Sequence, residues 1–183
     1  MKKFSVFAEG KEELVLELLP YQKNALAPVM SSKTIDYHYE QLAGGYVKRF
    51  NKGEGDPTFN KHGAYLHNLY FPQFKSPKLN NVPFGISEQI IDNKWGSFKK
   101  FQDEVEKQAM KIQGSGWIYM SVKGTIIDFP NHSLMPSDIA LLIDWWEHAW
   151  ALDYKADKKK YLQNIWQIVN WQIVNDRING QPK

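Results

Sequence analysis

Cysteine is absent from this 183-residue chain. Without a thiol there is no disulfide, no thiolate zinc or iron–sulfur site and no cysteine nucleophile. A transition metal must then be held by imidazole and carboxylate, and there are five histidines: His38, His62, His67, His132 and His148. Long apolar runs are missing as well, since none approaches the ~20 residues of a bilayer-spanning helix. Nor does one sign of charge dominate. Lysine and arginine number 23 against 20 acidic residues, a formal +3. That is too small and too scattered to imply a nucleic-acid partner, and at most it favours the approach of a small anion. The basic start at Met1-Lys2-Lys3 meets Glu9, Lys11 and Glu12 before an apolar leader core develops. The expectation is a soluble, cytoplasmic protein without a membrane or nucleic-acid partner. Aromatic residues, by contrast, are plentiful: seven tryptophans and nine tyrosines, enough to wall off a dry site as well as to pack a core.

The chain opens with an extended lead-in to about Pro28, because Pro20 and Pro28 disfavour helix at the residues before them. Ser31 or Ser32 is a suitable N-cap, and Ile35, His38, Tyr39, Leu42 and Tyr46 recur at helical spacing to about Phe50. Gly44-Gly45 within that helix marks a close approach, a kink or an early break. After a loop at 51–57, a second helix from Phe59 to Phe71 closes at Pro72 and completes a helical hairpin. Pro72, Pro77, Pro83 and Gly85 make 74–86 the linker. Ser87 then caps a short helix, and an amphipathic one follows from Ser97 to a stop at Gly114. Trp117–Val122 and Thr125–Phe129 read as antiparallel strands about a turn at Lys123-Gly124. The apolar run Ile139–Ile143 reads as a central strand. Lys155 to Ile178 reads as one terminal helix, in which the doubled phrase Trp-Gln-Ile-Val at Trp166 and Trp171 is coincidence. The expected class is α+β: an extended segment and helical hairpin over 1–73, then an α/β domain over 87–183. Its sheet is small, mostly antiparallel and three-stranded, with helices on its flanks.

Chemistry concentrates in Asp144-Trp145-Trp146-Glu147-His148. A carboxylate directly after an apolar strand needs a partner or a metal, and a turn brings a side chain four residues on to the same point. A core Asp–His hydrogen bond would account for that pair alone. His38 and His67 add two more imidazoles on apolar helix faces, where a lone histidine is ordinarily a satisfied core residue. Three such histidines with a strand-end aspartate, in a chain without thiols, favour a three-His, one-Asp site suited to iron, manganese or zinc.

Several segments resemble the iron/manganese superoxide dismutase family. They are Leu19-Pro20-Tyr21 with Ala25–Pro28, Thr34–Tyr39, Gly114–Trp117, Asp144–Trp150 with its D-x-W-E-H-A pattern, and Tyr161-Leu162 with Trp166 and Val169-Asn170-Trp171. The resemblance implies a helical hairpin and an α/β domain with the metal between them. It implies one iron or manganese ion per subunit on His38, His67, Asp144 and His148, superoxide as substrate and a homodimer. Tyr46 would stand at the mouth of the substrate channel, with Phe71, Trp117 and Trp146 as its aromatic wall. The family's potential-tuning glutamine maps to Gly63 or to His132, so His132 would take that task and titrate near neutrality. Glu147 would bridge to the partner subunit.

The chain also departs from the family pattern. Leu42 replaces a histidine one turn after the first ligand, and Ala151 replaces the tyrosine that pairs with it across the dimer. The interval from His38 to His67 is short, implying a trimmed hairpin and a wider approach to the site. His62 reads as a surface residue. Two other readings stay open on the residues: a family member that binds metal without turnover, and a non-haem iron oxygenase or zinc hydrolase.

Overall fold

The computed structural model describes residues 12–180; Met1–Gly10, the segment read for a leader, lies outside them. The lead-in has no helix or strand from Glu12 to Leu19 and is strapped to the hairpin by two side-chain amides. Asn51 exchanges hydrogen bonds with the backbone of Leu14, and Asn68 does so with Val15 and Glu17, all at 2.8–2.9 Å. Residues 23–29 are turns, with Val29 N and Met30 N both donating to Leu26 O, so the expected extension to Pro28 is corrected. Ser31 then caps the first helix by accepting from the Thr34 amide at 3.2 Å. This helix is continuous in three segments: α1 (Ser32–Ile35), a π-helical stretch Asp36–Ala43 and α2 (Gly44–Lys52). No break occurs at Gly44-Gly45; the close approach there comes from the guanidinium of Arg49. The π stretch, which carries His38, has no signature in the hydrophobic pattern, and such insertions recur at functional sites.

Helix α3 (Pro57–Tyr70) returns antiparallel, capped by Asp56 with Pro57 in its first turn. It ends in a 3-10 turn, Phe71–Gln73. Two further helices follow, α4 (Gly85–Trp95) and α5 (Phe98–Ala109). The first begins at Gly85 instead of being capped by Ser87, whose hydroxyl donates back to the Phe84 carbonyl. The sheet has three antiparallel strands, β1 (Gly116–Ser121), β2 (Ile126–Pro130) and β3 (Ile139–Asp144), in the order β2-β1-β3. The central strand is thus β1, and the expectation of a central Ile139–Ile143 is corrected. Every residue of β3 is nonetheless buried. Its outer edge is satisfied by side chains: the Gln73 amide exchanges hydrogen bonds with the Leu142 backbone, and Arg177 donates to the Ala140 carbonyl. An edge strand so covered is apolar throughout, which is why its sequence reads like that of a central one.

The terminal helix is also corrected. The expected Lys155–Ile178 span is two pieces, α7 (Lys158–Ile165) and α8 (Trp171–Ile178), and a short helix α6 (Ala151–Tyr154) precedes them. Between α7 and α8 the backbone turns outward to pair with the segment after α3. Lys75 N donates to Ile168 O and Asn170 N to Gln73 O, both at 2.8 Å, and Phe74 bridges Val169. These tertiary hydrogen bonds outweigh local helix preference. The repeated phrase puts Trp166 and Trp171 on the same ring, 5.7 and 5.4 Å from Phe98.

Burial holds the phenols of Tyr21, Tyr70 and Tyr161 far above the ordinary tyrosine range and pushes Tyr46 and Tyr119 up to about 12. Unfolded tyrosines release their protons near pH 10, so what these groups contribute to stability is lost as pH rises above that point. Spectrophotometric titration of the native protein is expected to leave at least these five of the nine tyrosines protonated at pH 11. Nine phenolates at that pH would contradict the packing.

Candidate metal centre

Four elements meet at one buried point. His38 comes from the π stretch and His67 from the facing side of α3, with ring centroids 5.0 Å apart. Asp144 ends β3, where the register sets it directly opposite Trp117 of β1 on the same face. His148 follows in the 3-10 turn Glu147–Ala149. Asp144 and the first two histidines are fully buried, and the His148 side chain is 12% exposed.

The donor atoms converge. His38 Nε2 is 3.0 Å from His67 Nε2 and 3.1 Å from Asp144 Oδ2, while His148 and His67 Nε2 are 3.4 and 3.6 Å from that oxygen. One donor from each of the four lies within 4.8 Å of the others. For a first-row ion with donors about 2.1 Å away, neighbouring donors stand about 3.0 Å apart at a right angle and about 3.6 Å at a trigonal one. The residues therefore fit a metal ion. Asp144 Oδ2 and His148 Nε2 are buried without a hydrogen-bond partner, a costly arrangement unless a cation completes it.

Supporting contacts orient the set. His67 Nδ1–H donates to the Gly63 carbonyl at 2.6 Å, which leaves Nε2 as the free lone pair. Asp144 Oδ1 accepts from the Trp146 amide at 2.7 Å, and its backbone carbonyl accepts from Tyr161 Oη at 3.1 Å. Because the Tyr161 proton is used there, Tyr70 is the donor in the 2.9 Å contact between the two hydroxyls. Burial opposes ionisation of Asp144, yet His148 and His38 hold its carboxyl well below the usual carboxylate range. Burial lowers His38 to about 4, helped by repulsion from His148, and takes His67 well below its ordinary value. At neutral pH burial thus keeps His38 and His67 neutral beside the Asp144 carboxylate, the protonation state in which these residues bind metal.

The aromatic residues close around it. Phe71 is 4.8 Å from His38, Trp117 is 5.1 Å and Tyr46 5.4 Å from His67, and Trp146 is 5.5 Å from His148, between ring centroids. His132 stacks on Trp146 at 4.6 Å and meets Tyr46 edge-on at 4.9 Å. The Trp117 indole N–H donates to His132 Nδ1 at 3.0 Å, so the neutral ring carries its proton on Nε2, which is buried and unpartnered. Burial pushes His132 down to about 4, and the expectation that it titrates near neutrality is corrected: desolvation keeps it neutral there. His62 is not a plain surface residue either. It is half-buried, and its Nδ1–H donates to the His132 carbonyl at 2.8 Å, fixing that loop. Leu42 and Ala151 are half-buried, and Glu147 is exposed without an ion pair among the described residues.

Gly63 explains why His132 fits. A Cβ at position 63 would lie 2.9 Å from Tyr46 Cγ and 3.1 Å from His132 Cδ2. Phe59, a residue the sequence reading passed over, caps the cluster 4.7 Å from His132 and 5.9 Å from Tyr46. Its signal was present: Phe59, Gly63 and His67 are spaced i, i+4, i+8 on one face of α3.

Two family models match the chain. The α-hairpin domain of iron/manganese superoxide dismutases covers residues 13–57, and the C-terminal domain covers 84–177. The chain belongs to the iron/manganese superoxide dismutase family. Among the relatives, the iron superoxide dismutase of Pyrobaculum aerophilum is 32% identical over 195 residues, spanning 89% of this chain and 92% of that protein. That of Bacteroides fragilis is 35% identical over 189 residues, with 87% and 96% covered. The Mn/Fe superoxide dismutase of Porphyromonas gingivalis is 35% identical over 188 residues, at the same coverage. The protein is accordingly an oxidoreductase of the superoxide dismutase type. His67 lies between the two matched spans, so its place in the cluster is known from the fold alone.

Gly63→Ala is expected to destabilise the protein by about 1–3 kcal/mol through overpacking against two rings, measured by denaturant unfolding. In a His132→Gly background the same change should cost less, because the double variant relieves the clash.

Proposed function

We propose that the protein dismutes superoxide with one iron or manganese ion per subunit, held by His38, His67, Asp144 and His148. The observation that carries this reading is the meeting of three imidazole nitrogens and a buried carboxylate oxygen at 3.0–3.6 Å, with Asp144 Oδ2 and His148 Nε2 lacking any hydrogen-bond partner. Iron or manganese there supplies one-electron chemistry: one superoxide is oxidised to dioxygen, and a second, taking two protons, is reduced to hydrogen peroxide. The chain's own side chains prepare that chemistry. Asp144 contributes the negative charge, and His67, its Nδ1–H held by the Gly63 carbonyl, keeps its Nε2 lone pair free. His132 offers a fixed Nε2–H donor beside the cluster, and it sets the ion's potential as a supporting donor does. The Tyr46 phenol, pushed up to about 12 by burial and by the Asp144 charge, stays protonated and serves as a proton-holding group 5.4 Å from His67 between ring centroids. Phe59, Phe71, Trp117 and Trp146 exclude bulk water. A homodimer with Glu147 reaching the partner subunit completes the reading.

Elemental analysis of the purified protein, paired with a superoxide-consumption assay, tests it. Iron or manganese near one per chain together with turnover is the expected result. Metal without turnover would instead indicate a binding role, and zinc would indicate a hydrolase. Replacing His67 by alanine should abolish stoichiometric metal retention. His132→Gln should change the rate by about 10–100-fold and leave the pH profile between about 6 and 9 unmoved, because a ring held near 4 does not titrate there. A profile shifted by that substitution would show that His132 ionises during turnover.

A further inference from the structure

Arg49 is a cation built into the side of the site. Its guanidinium carbon lies 5.0 Å from the centroid of the Tyr46 ring, and that ring is 5.4 Å from His67. Its Nε–H donates at 3.0 Å to Asn60 Oδ1, and the Asn60 amide in turn donates to the Glu54 carbonyl at 2.9 Å, which fixes the acceptor. Asn60 is 2% exposed. Gly45 supplies the room: a Cβ there would lie 3.0 Å from an Arg49 terminal nitrogen. A glycine at 45 therefore lets the arginine fold back over its own helix onto Tyr46. Among the described residues no carboxylate lies within ion-pair distance of this guanidinium. The neighbouring acids are otherwise engaged. Asp56 caps α3 by accepting from the Phe59 amide, and Glu54 lies 4.0 Å from Lys52.

A half-buried guanidinium without a counter-charge, held in one orientation by a buried amide, keeps its full field for an approaching anion. We propose that Arg49 is the anion-steering and positioning residue of this site, drawing superoxide past Tyr46 and Phe59 to the His38–His67–Asp144–His148 cluster. The inference rests on the function proposed above. Gly45 and Asn60 serve it by setting the guanidinium's position, and the glycine pair that the sequence marked as a close approach thereby acquires a task.

Superoxide decay followed by stopped flow across ionic strength tests the proposal in the metal-loaded protein, alongside titration with azide, a small anionic probe, read by visible absorption. For the native protein, kcat/KM should fall as salt rises. Arg49→Gln should be about three- to tenfold slower at low salt and should converge on the native value at high salt. It should also bind azide several-fold more weakly at low salt, with unchanged metal content. Arg49→Lys, which keeps the charge, should recover most of both losses. The proposal is overturned if Arg49→Gln follows the native salt dependence, if it is slower by one factor at every salt concentration, or if the lysine variant fails as fully as the glutamine. A native protein that binds metal without turnover would sink the dismutase reading by itself, while azide affinity in the three proteins would still decide the role of Arg49.

Discussion

A carboxylate without solvent is the constraint on which this structure depends. Asp144 is wholly buried at the end of β3, and three imidazoles from three other segments surround its free oxygen. Burying that charge is tolerable only if positive charge or directed donors meet it. The Trp146 amide takes one oxygen and the histidine cluster faces the other. The hairpin and the sheet are joined at this point, so the site that carries the chemistry is also where the two halves of the chain hold each other.

The surrounding shell follows from that requirement. Tyr161 and Tyr70 form a hydroxyl chain ending on the Asp144 carbonyl, and Trp117 sits opposite Asp144 in the strand register. From there the Trp117 indole fixes the tautomer of His132, which occupies the space that Gly63 leaves free. Gly45 does the same for Arg49, which lies against Tyr46. Two glycines in helices, each costly to helix stability, are thus explained by the side chains that lie against them.

Much of this was legible in the residues. The absence of cysteine limited the ligand types, and helical spacing set His38 and His67 on apolar faces. The D-x-W-E-H-A pattern marked Asp144 and His148. Other features were hidden for stated physical reasons. The edge position of β3 was masked because Gln73 and Arg177, distant in sequence, cap its backbone and let every residue be apolar. The break between α7 and α8 was masked because Trp166–Asn170 has ordinary helical composition and leaves the helix only to bond the segment at 73–78. His62 looked like a surface residue because its partner, the carbonyl of His132, is 70 positions away.

Composition and local spacing by themselves determined the donor types, the two helices of the hairpin and the strand that presents the aspartate, because each is encoded in composition or within a few turns of chain. Tertiary structure alone decided which strand is central, where the last helix breaks, that His132 is neutral with its proton on Nε2, and that Arg49 leans on Tyr46. Those outcomes depend on desolvation and on hydrogen bonds between residues far apart in sequence, which periodicity does not register.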